Sequence, residues 1–124
     1  MNNLLDAAKR ARENAYAPYS NYLVGAAILT AKGNIYAGCN VENGVYPLGN
    51  CAERVAIQNM VSAGEREIAA LLLVTENGAT PCGACRQVIS EFANEDAIIY
   101  IANTEEVISQ TAIGELLPSA FKLK

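Results

Sequence analysis

Apolar residues recur at Leu4, Ala7, Ala8, Ala11 and Ala15, a helical spacing that predicts an opening helix from Asn3 to about Ala15. Asn3 is placed to cap it, Asp6 falls in the first turn where the helix dipole favours an acid, and Pro18 ends it. The pattern then changes period. Leu23 to Leu29 is an apolar run of strand length, Lys32-Gly33-Asn34 is a turn, and Ile35 to Val41 is a second run, which together predict an antiparallel hairpin. Gly25 inside the first strand leaves room for close approach of another backbone or a ligand. The stretch 42–50 carries too many turn residues for a regular element and reads as a loop. From Cys51 helical spacing returns at Val55, Ile57, Met60 and Val61, stopping near Gly64. Ala69 to Thr75 is continuously apolar and suits a central strand covered on both faces. A loop from Glu76 to Pro81, a helix through about Phe92 and a strand from Ala97 to Ala102 follow. One last short strand at Val107-Ile108 and a short helix within 113–117 complete the chain.

Strands alternate with helices after the hairpin, which predicts an α/β fold, a mixed sheet with helices on its faces. The 124 residues show no repeat, linker or low-complexity segment, so a single domain over 1–124 is expected. In β-α-β-α units the N-termini of successive helices gather at the carboxyl end of the parallel strands. Cys51 stands at the start of one helix and Cys82 at the start of the next, so this topology brings them to one edge of the sheet.

That convergence gives two short motifs their chemistry. Cys51-Ala52-Glu53 and Pro81-Cys82-Gly83-Ala84-Cys85 together supply three thiols and a carboxylate. Cys82 and Cys85 are three apart, neighbours on a helix surface, and can face one ion. Three protein ligands leave a fourth tetrahedral position for water, which is the catalytic pattern of zinc, and Glu53 is then the candidate general base and acid. Helix N-termini favour thiolates. Three thiolates overshoot the charge of Zn²⁺, so Arg54 or Arg86 is expected to donate to a ligand sulfur; a solvated surface position for each is the competing reading. Two other readings of the cysteines stay open. Cys82 and Cys85 alone match a thioredoxin-like redox pair, and Cys39 could complete a closed four-cysteine structural site.

Composition narrows the choice. With no histidine, Ser-His-Asp and Cys-His catalysis are excluded, as are imidazole ligands to zinc. The net charge of −4 and the lack of a Lys/Arg cluster argue against a nucleic-acid surface. No stretch is long and apolar enough to span a bilayer, and no secretory signal is visible, so a cytoplasmic protein with reduced thiols is expected rather than a disulfide scaffold.

The chain resembles the small, homotetrameric, three-cysteine cytidine deaminases. The likeness runs through Tyr16-Ala17-Pro18-Tyr19-Ser20, Val24-Gly25-Ala26-Ala27, Gly38-Cys39-Asn40-Val41-Glu42-Asn43, Cys51-Ala52-Glu53-Arg54, Pro81 to Gln87 and Glu115-Leu116-Leu117-Pro118. This resemblance implies a three-layer α/β/α fold around a mixed five-stranded sheet, with one Zn²⁺ per subunit held by Cys51, Cys82 and Cys85. It implies hydrolytic deamination of cytidine and deoxycytidine to the uridines with release of ammonia, a pyrimidine-salvage reaction in which Glu53 moves the protons. By motif match, Asn40 and Glu42 would hold the ribose 3′-hydroxyl, Tyr22 would stack on the pyrimidine, and the backbone around Ala52 would contact the base. Neighbouring subunits of a homotetramer would complete each pocket, here through Tyr46 and Phe121. Read without the resemblance, Asn40 and Glu42 are alternate residues at a strand end that can offer a hydroxyl both a donor and an acceptor, or else solvated turn residues. Tyr22 stands where the family often has phenylalanine, and its added hydroxyl needs a partner. A related deaminase of the nucleoside antibiotic blasticidin S, and a non-catalytic zinc or redox protein, are the alternatives.

Overall fold

The computed structural model describes residues 2–123. In chain order it comprises α1 (Asn2–Glu13), β1 (Gly25–Thr30), β2 (Ile35–Cys39), α2 (Ala52–Ser62), β3 (Ile68–Val74), α3 (Gly83–Glu91), β4 (Ala93–Ala102), β5 (Val107–Ala112) and α4 (Ile113–Leu116). A single 3-10 turn, Tyr46–Leu48, interrupts the predicted loop before α2.

The five strands form one sheet in the order β2-β1-β3-β4-β5. β1 is antiparallel to both β2 and β3, β3 is parallel to β4, and β5 is antiparallel to β4. The sheet is therefore mixed, and β2, β3 and β4 all run in one direction. Alternation along each strand divides the core between the two faces. On one face Leu4, Ala7 and Ala8 of α1 pack on Ala27, Leu72 and Val74. On the other, Ala56, Ile57 and Met60 of α2 and Ile89 of α3 cover Ile28, Leu71, Leu73, Ile99 and Ile101. β3 is covered on both sides, as its unbroken apolar run predicts.

Two glycines set how closely helices approach the sheet. A Cβ on Gly25 would lie 2.1 Å from the Ala8 carbonyl oxygen of α1. A Cβ on Gly38 would lie 2.5 Å from the Ala56 nitrogen and 2.9 Å from the Ala52 oxygen of α2. The first close approach matches the expectation for Gly25; the second seats the opening turns of α2 directly on β2.

The first helix departs from its predicted frame. It starts at Asn2, so Asn3 lies inside it instead of capping it, and Asp6 falls beyond the first turn. It ends at Glu13 because Tyr16 leaves to pair with Val41, its amide donating to the Asn40 carbonyl at 3.0 Å. β1 begins at Gly25 and not at Leu23, since the Val24 amide is taken by the Asn40 side chain.

Candidate active site

β2 feeds α2 and β3 feeds α3, so both helices begin at the carboxyl edge shared by the parallel-running strands. Cys51 is the N-cap of α2 and Cys82 the N-cap of α3, both with extended backbone, while Cys85 is fully buried in the first turn of α3. This is the convergence the sequence predicts. The three Sγ atoms all lie within 4.8 Å of one another. Sulfurs sharing a tetrahedral zinc at about 2.3 Å stand roughly 3.8 Å apart, so the cluster has the size and donor chemistry that zinc requires. Cys39 lies outside it, partly buried at the end of β2, with burial raising its pKa. The four-cysteine closed site does not form, and all four thiols are free.

Charge in the cluster is unevenly shared. The Cys51 thiol is pushed down, first by a hydrogen bond from Cys85 and further by Arg54. Cys85 is pushed up, because its proton is held by Cys51 and its site is buried. Arg54 reaches back one turn of α2, its Nη2 donating to Cys51 Sγ at 3.4 Å, while its buried Nε meets no hydrogen-bond partner. Arg86 does something else. Its Nε donates to the Pro81 carbonyl at 2.7 Å, Nη1 to the Leu116 carbonyl at 3.0 Å and Nη2 to Thr80 Oγ1 at 3.1 Å. One residue beyond Cys85 is about 100° around the helix, which carries Arg86 away from the sulfurs and onto the chain before α3 and α4.

Glu53 occupies the first turn of α2 at 4% exposure. Burial pushes its carboxyl up to about 7, with the Cys51 charge adding to the shift against its own helix-terminal amide. A carboxyl poised near neutrality can both accept and give up a proton under ordinary conditions.

Cluster and carboxyl open on a cleft of about 670 Å³, within the usual size for small-molecule sites. Asn40, Glu42, Tyr22 and Ala52 all line it. Asn40 and Glu42 are already engaged, however. Asn40 Oδ1 accepts from the Val24 amide at 2.9 Å and its Nδ2 donates to the Tyr22 carbonyl at 2.8 Å. Glu42 Oε1 accepts from the Tyr19 and Ser20 amides at 2.9 and 3.1 Å, and Oε2 accepts from the Ser20 hydroxyl. The Ser20 hydroxyl is the main reason the Glu42 pKa is lowered, which leaves a carboxylate with lone pairs to spare. For a ligand the pair retains one Asn40 N–H and the free acceptor capacity of Glu42.

Tyr46 stands on the rim of its own chain's cleft, 73% exposed, its ring edge-on to Tyr19 at 5.7 Å. Phe121 lies outside this cleft, 69% exposed, its carbonyl accepting from Gln87 Nε2 at 3.1 Å. Sequence reasoning missed Ser20, Thr75 and Asn77. Ser20 and Asn77 act through long-range hydrogen bonds, to Glu42 and to Tyr22, and Thr75 acts through Asn77; only the unmet need of the Tyr22 hydroxyl for a partner hinted at one of them.

Three thiols from two helix mouths, beside a buried carboxyl and open to a cleft, define a catalytic type of zinc centre on an α/β sheet. The model of the cytidine and deoxycytidylate deaminase zinc-binding region matches residues 1–101. A cytidine deaminase of Sporosarcina psychrophila is 50% identical over 120 residues, covering 95% of this chain and 88% of the relative. The crystal structure of a cytidine deaminase from Burkholderia pseudomallei superposes with a TM-score of 0.92 at 47% identity, covering 97% of this chain and 98% of the other. A blasticidin-S deaminase of Bacillus cereus is more distant, 31% identical over 105 residues, 77% of this chain and 74% of the relative. The chain belongs to the zinc-binding cytidine and deoxycytidylate deaminase family.

Proposed function

We propose that this protein hydrolyses cytidine and deoxycytidine to uridine and deoxyuridine with release of ammonia. The observation that carries the reading is Glu53, buried beside the cluster of Cys51, Cys82 and Cys85 and lining the same cleft of small-molecule size. Cys51, Cys82 and Cys85 would hold zinc, whose contribution is to bring the pKa of a water into the neutral range. Glu53 handles the protons: it takes one from the attacking water, gives it to the ring nitrogen beside the reacting carbon, then helps the amine leave. Arg54 offsets excess thiolate charge through its hydrogen bond to Cys51. Asn40 and Glu42 direct their remaining N–H and lone pairs to the ribose 3′-hydroxyl, Tyr22 offers its ring to the pyrimidine, and the backbone around Ala52 contacts the base; that all four line the cleft supports these roles.

The exposed apolar side chains of Val45, Tyr46 and Leu48 beside the cleft, and of Phe121 and Leu123 near the C-terminus, support assembly into a homotetramer in which neighbours complete each pocket. Four free thiols fit a reducing compartment, so we place the protein in the cytoplasm. Absorbance-monitored turnover of cytidine, with and without a strong zinc chelator, tests the reading. Loss of cytidine absorbance that chelation abolishes is expected; chelator-insensitive turnover, or none with zinc present, contradicts it. Blasticidin S in the same assay is expected to be the poorer substrate.

A further inference from the structure

We infer that Asn77 is a positioning residue, which latches the Tyr22 hydroxyl and so ties the sugar end of the cleft to the loop that delivers Cys82. The inference rests on the proposed nucleoside reaction and concerns Asn77, to which the sequence resemblance gives no role, and the hydroxyl that Tyr22 adds to the expected stacking ring.

Tyr22 is held at both ends. Its carbonyl accepts from Asn40 Nδ2 at 2.8 Å, and its amide donates to Ser20 Oγ at 3.1 Å, the same hydroxyl that meets Glu42. Its backbone thus moves with the Asn40–Glu42 end of the cleft. Its hydroxyl donates to Asn77 Oδ1 at 2.5 Å, across 55 positions of chain. That oxygen also accepts from Thr75 Oγ1 at 3.2 Å, and Thr75 Oγ1 accepts from the Ala79 amide at 2.7 Å. Thr75 is 2% exposed at the end of β3, so the loop is folded back onto a fixed point of the sheet.

The other side of this loop is backed as well. Gly78 has φ of +70°, and a Cβ there would lie 2.3 Å from Ile108 Cδ1 of β5. Farther along, Arg86 grips the Pro81 carbonyl. The segment from Asn77 to Cys82 is thereby held by Tyr22 in front, β5 behind and α3 below. Anchoring the hydroxyl of a rigid phenol fixes both side-chain torsions, so the latch sets the face that the Tyr22 ring presents to the cleft. A phenylalanine keeps the ring and loses the tie. One hydrogen bond of this kind changes affinity by about 2- to 10-fold.

The experiment compares Tyr22→Phe, Asn77→Ala and the double variant, reading kcat and KM for cytidine and the dissociation constant of the product uridine. Turnover of cytidine by the unmodified protein is measured first; its absence would overturn the functional reading on which the latch depends. Given that turnover, each single variant is expected to raise KM and weaken uridine binding by roughly 3- to 10-fold, with a smaller effect on kcat. The double variant is expected to lose no more than Asn77→Ala alone, because Tyr22→Phe removes a bond that Asn77→Ala has already removed. Fully additive losses, or a lowered melting temperature with KM and uridine affinity unmoved, would overturn the latch alone.

Discussion

Helix α2 has a buried glutamate at each end, and the two behave oppositely. Glu53 lies in its first turn, where the positive end of the helix dipole should favour a carboxylate, yet its pKa is raised to about 7. Glu65 lies just past its last turn, where the dipole should oppose a negative charge, yet its pKa is lowered. Helix-end effects amount to about 0.3–1 kcal/mol. The shift of Glu53 from 4.5 to about 7 corresponds to roughly 3 kcal/mol, so burial outweighs the dipole. At Glu65 the donors decide: the Thr30 hydroxyl first, then Tyr36 Oη and Asn34 Nδ2, the last two each at 2.8 Å from Oε2. Glu65 also belongs to the turn that closes α2, with its amide on the Met60 carbonyl and that of Gly64, at φ +97°, on the Val61 carbonyl. A buried carboxyl surrounded by donors is a fastening. One short of donors is available for proton transfer.

Substitutions at the two ends should therefore separate chemistry from stability. The largest effect is expected from Cys85→Ser, beside Glu53: zinc content falls well below one per chain and cytidine turnover falls to background, as metal analysis and an activity assay on one preparation would read. Gly38→Ala comes next. Its Cβ would force the start of α2 off β2 and displace Cys51 and Glu53 together. Turnover should drop by roughly 10²-fold, with a stability loss of about 1–3 kcal/mol in denaturant titration. Wild-type turnover in this variant would mean that the close packing there does not position the site.

Glu65→Gln should give the smallest change in activity, turnover staying within about twofold of the parent, while the melting temperature at pH 7 falls by several degrees. This deficit should depend on pH. A carboxyl whose folded pKa is depressed stabilises above its ordinary value of 4.5, and that contribution is lost as pH falls through the lower folded value. The gap in melting temperature between parent and variant should thus narrow on acidification. A gap that held constant into acid would show that the charge of Glu65 is not what fastens the turn.

Much of this architecture is readable from local pattern. The change from helical to strand spacing, Lys32-Gly33-Asn34 at the hairpin, and the apolar run of β3 lead to the mixed sheet, and the helix starts at Cys51 and Cys82 bring the cysteines to one edge. What escapes the pattern depends on contacts between distant segments. The spacing of Asn40 and Glu42 puts them on one side of a strand end but says nothing of Ser20 or Val24, which take up much of their bonding capacity. Nothing in the local pattern singles out Gly38, on which α2 rests. Arg86 adjoins a cysteine in sequence, and helical rotation turns it toward Pro81 and Leu116. The local pattern is equally silent on Glu65, whose partners Thr30, Tyr36 and Asn34 are brought around it by the hairpin.

The most direct test of the central claim is Glu53→Gln, with zinc and cytidine turnover measured on the same sample. The carboxyl is proposed to move protons and not to hold the metal. The variant should therefore retain about one zinc per chain and its fold while turnover falls on the order of 10³-fold. Undiminished turnover, or a loss of activity that merely follows a loss of zinc, would contradict the account.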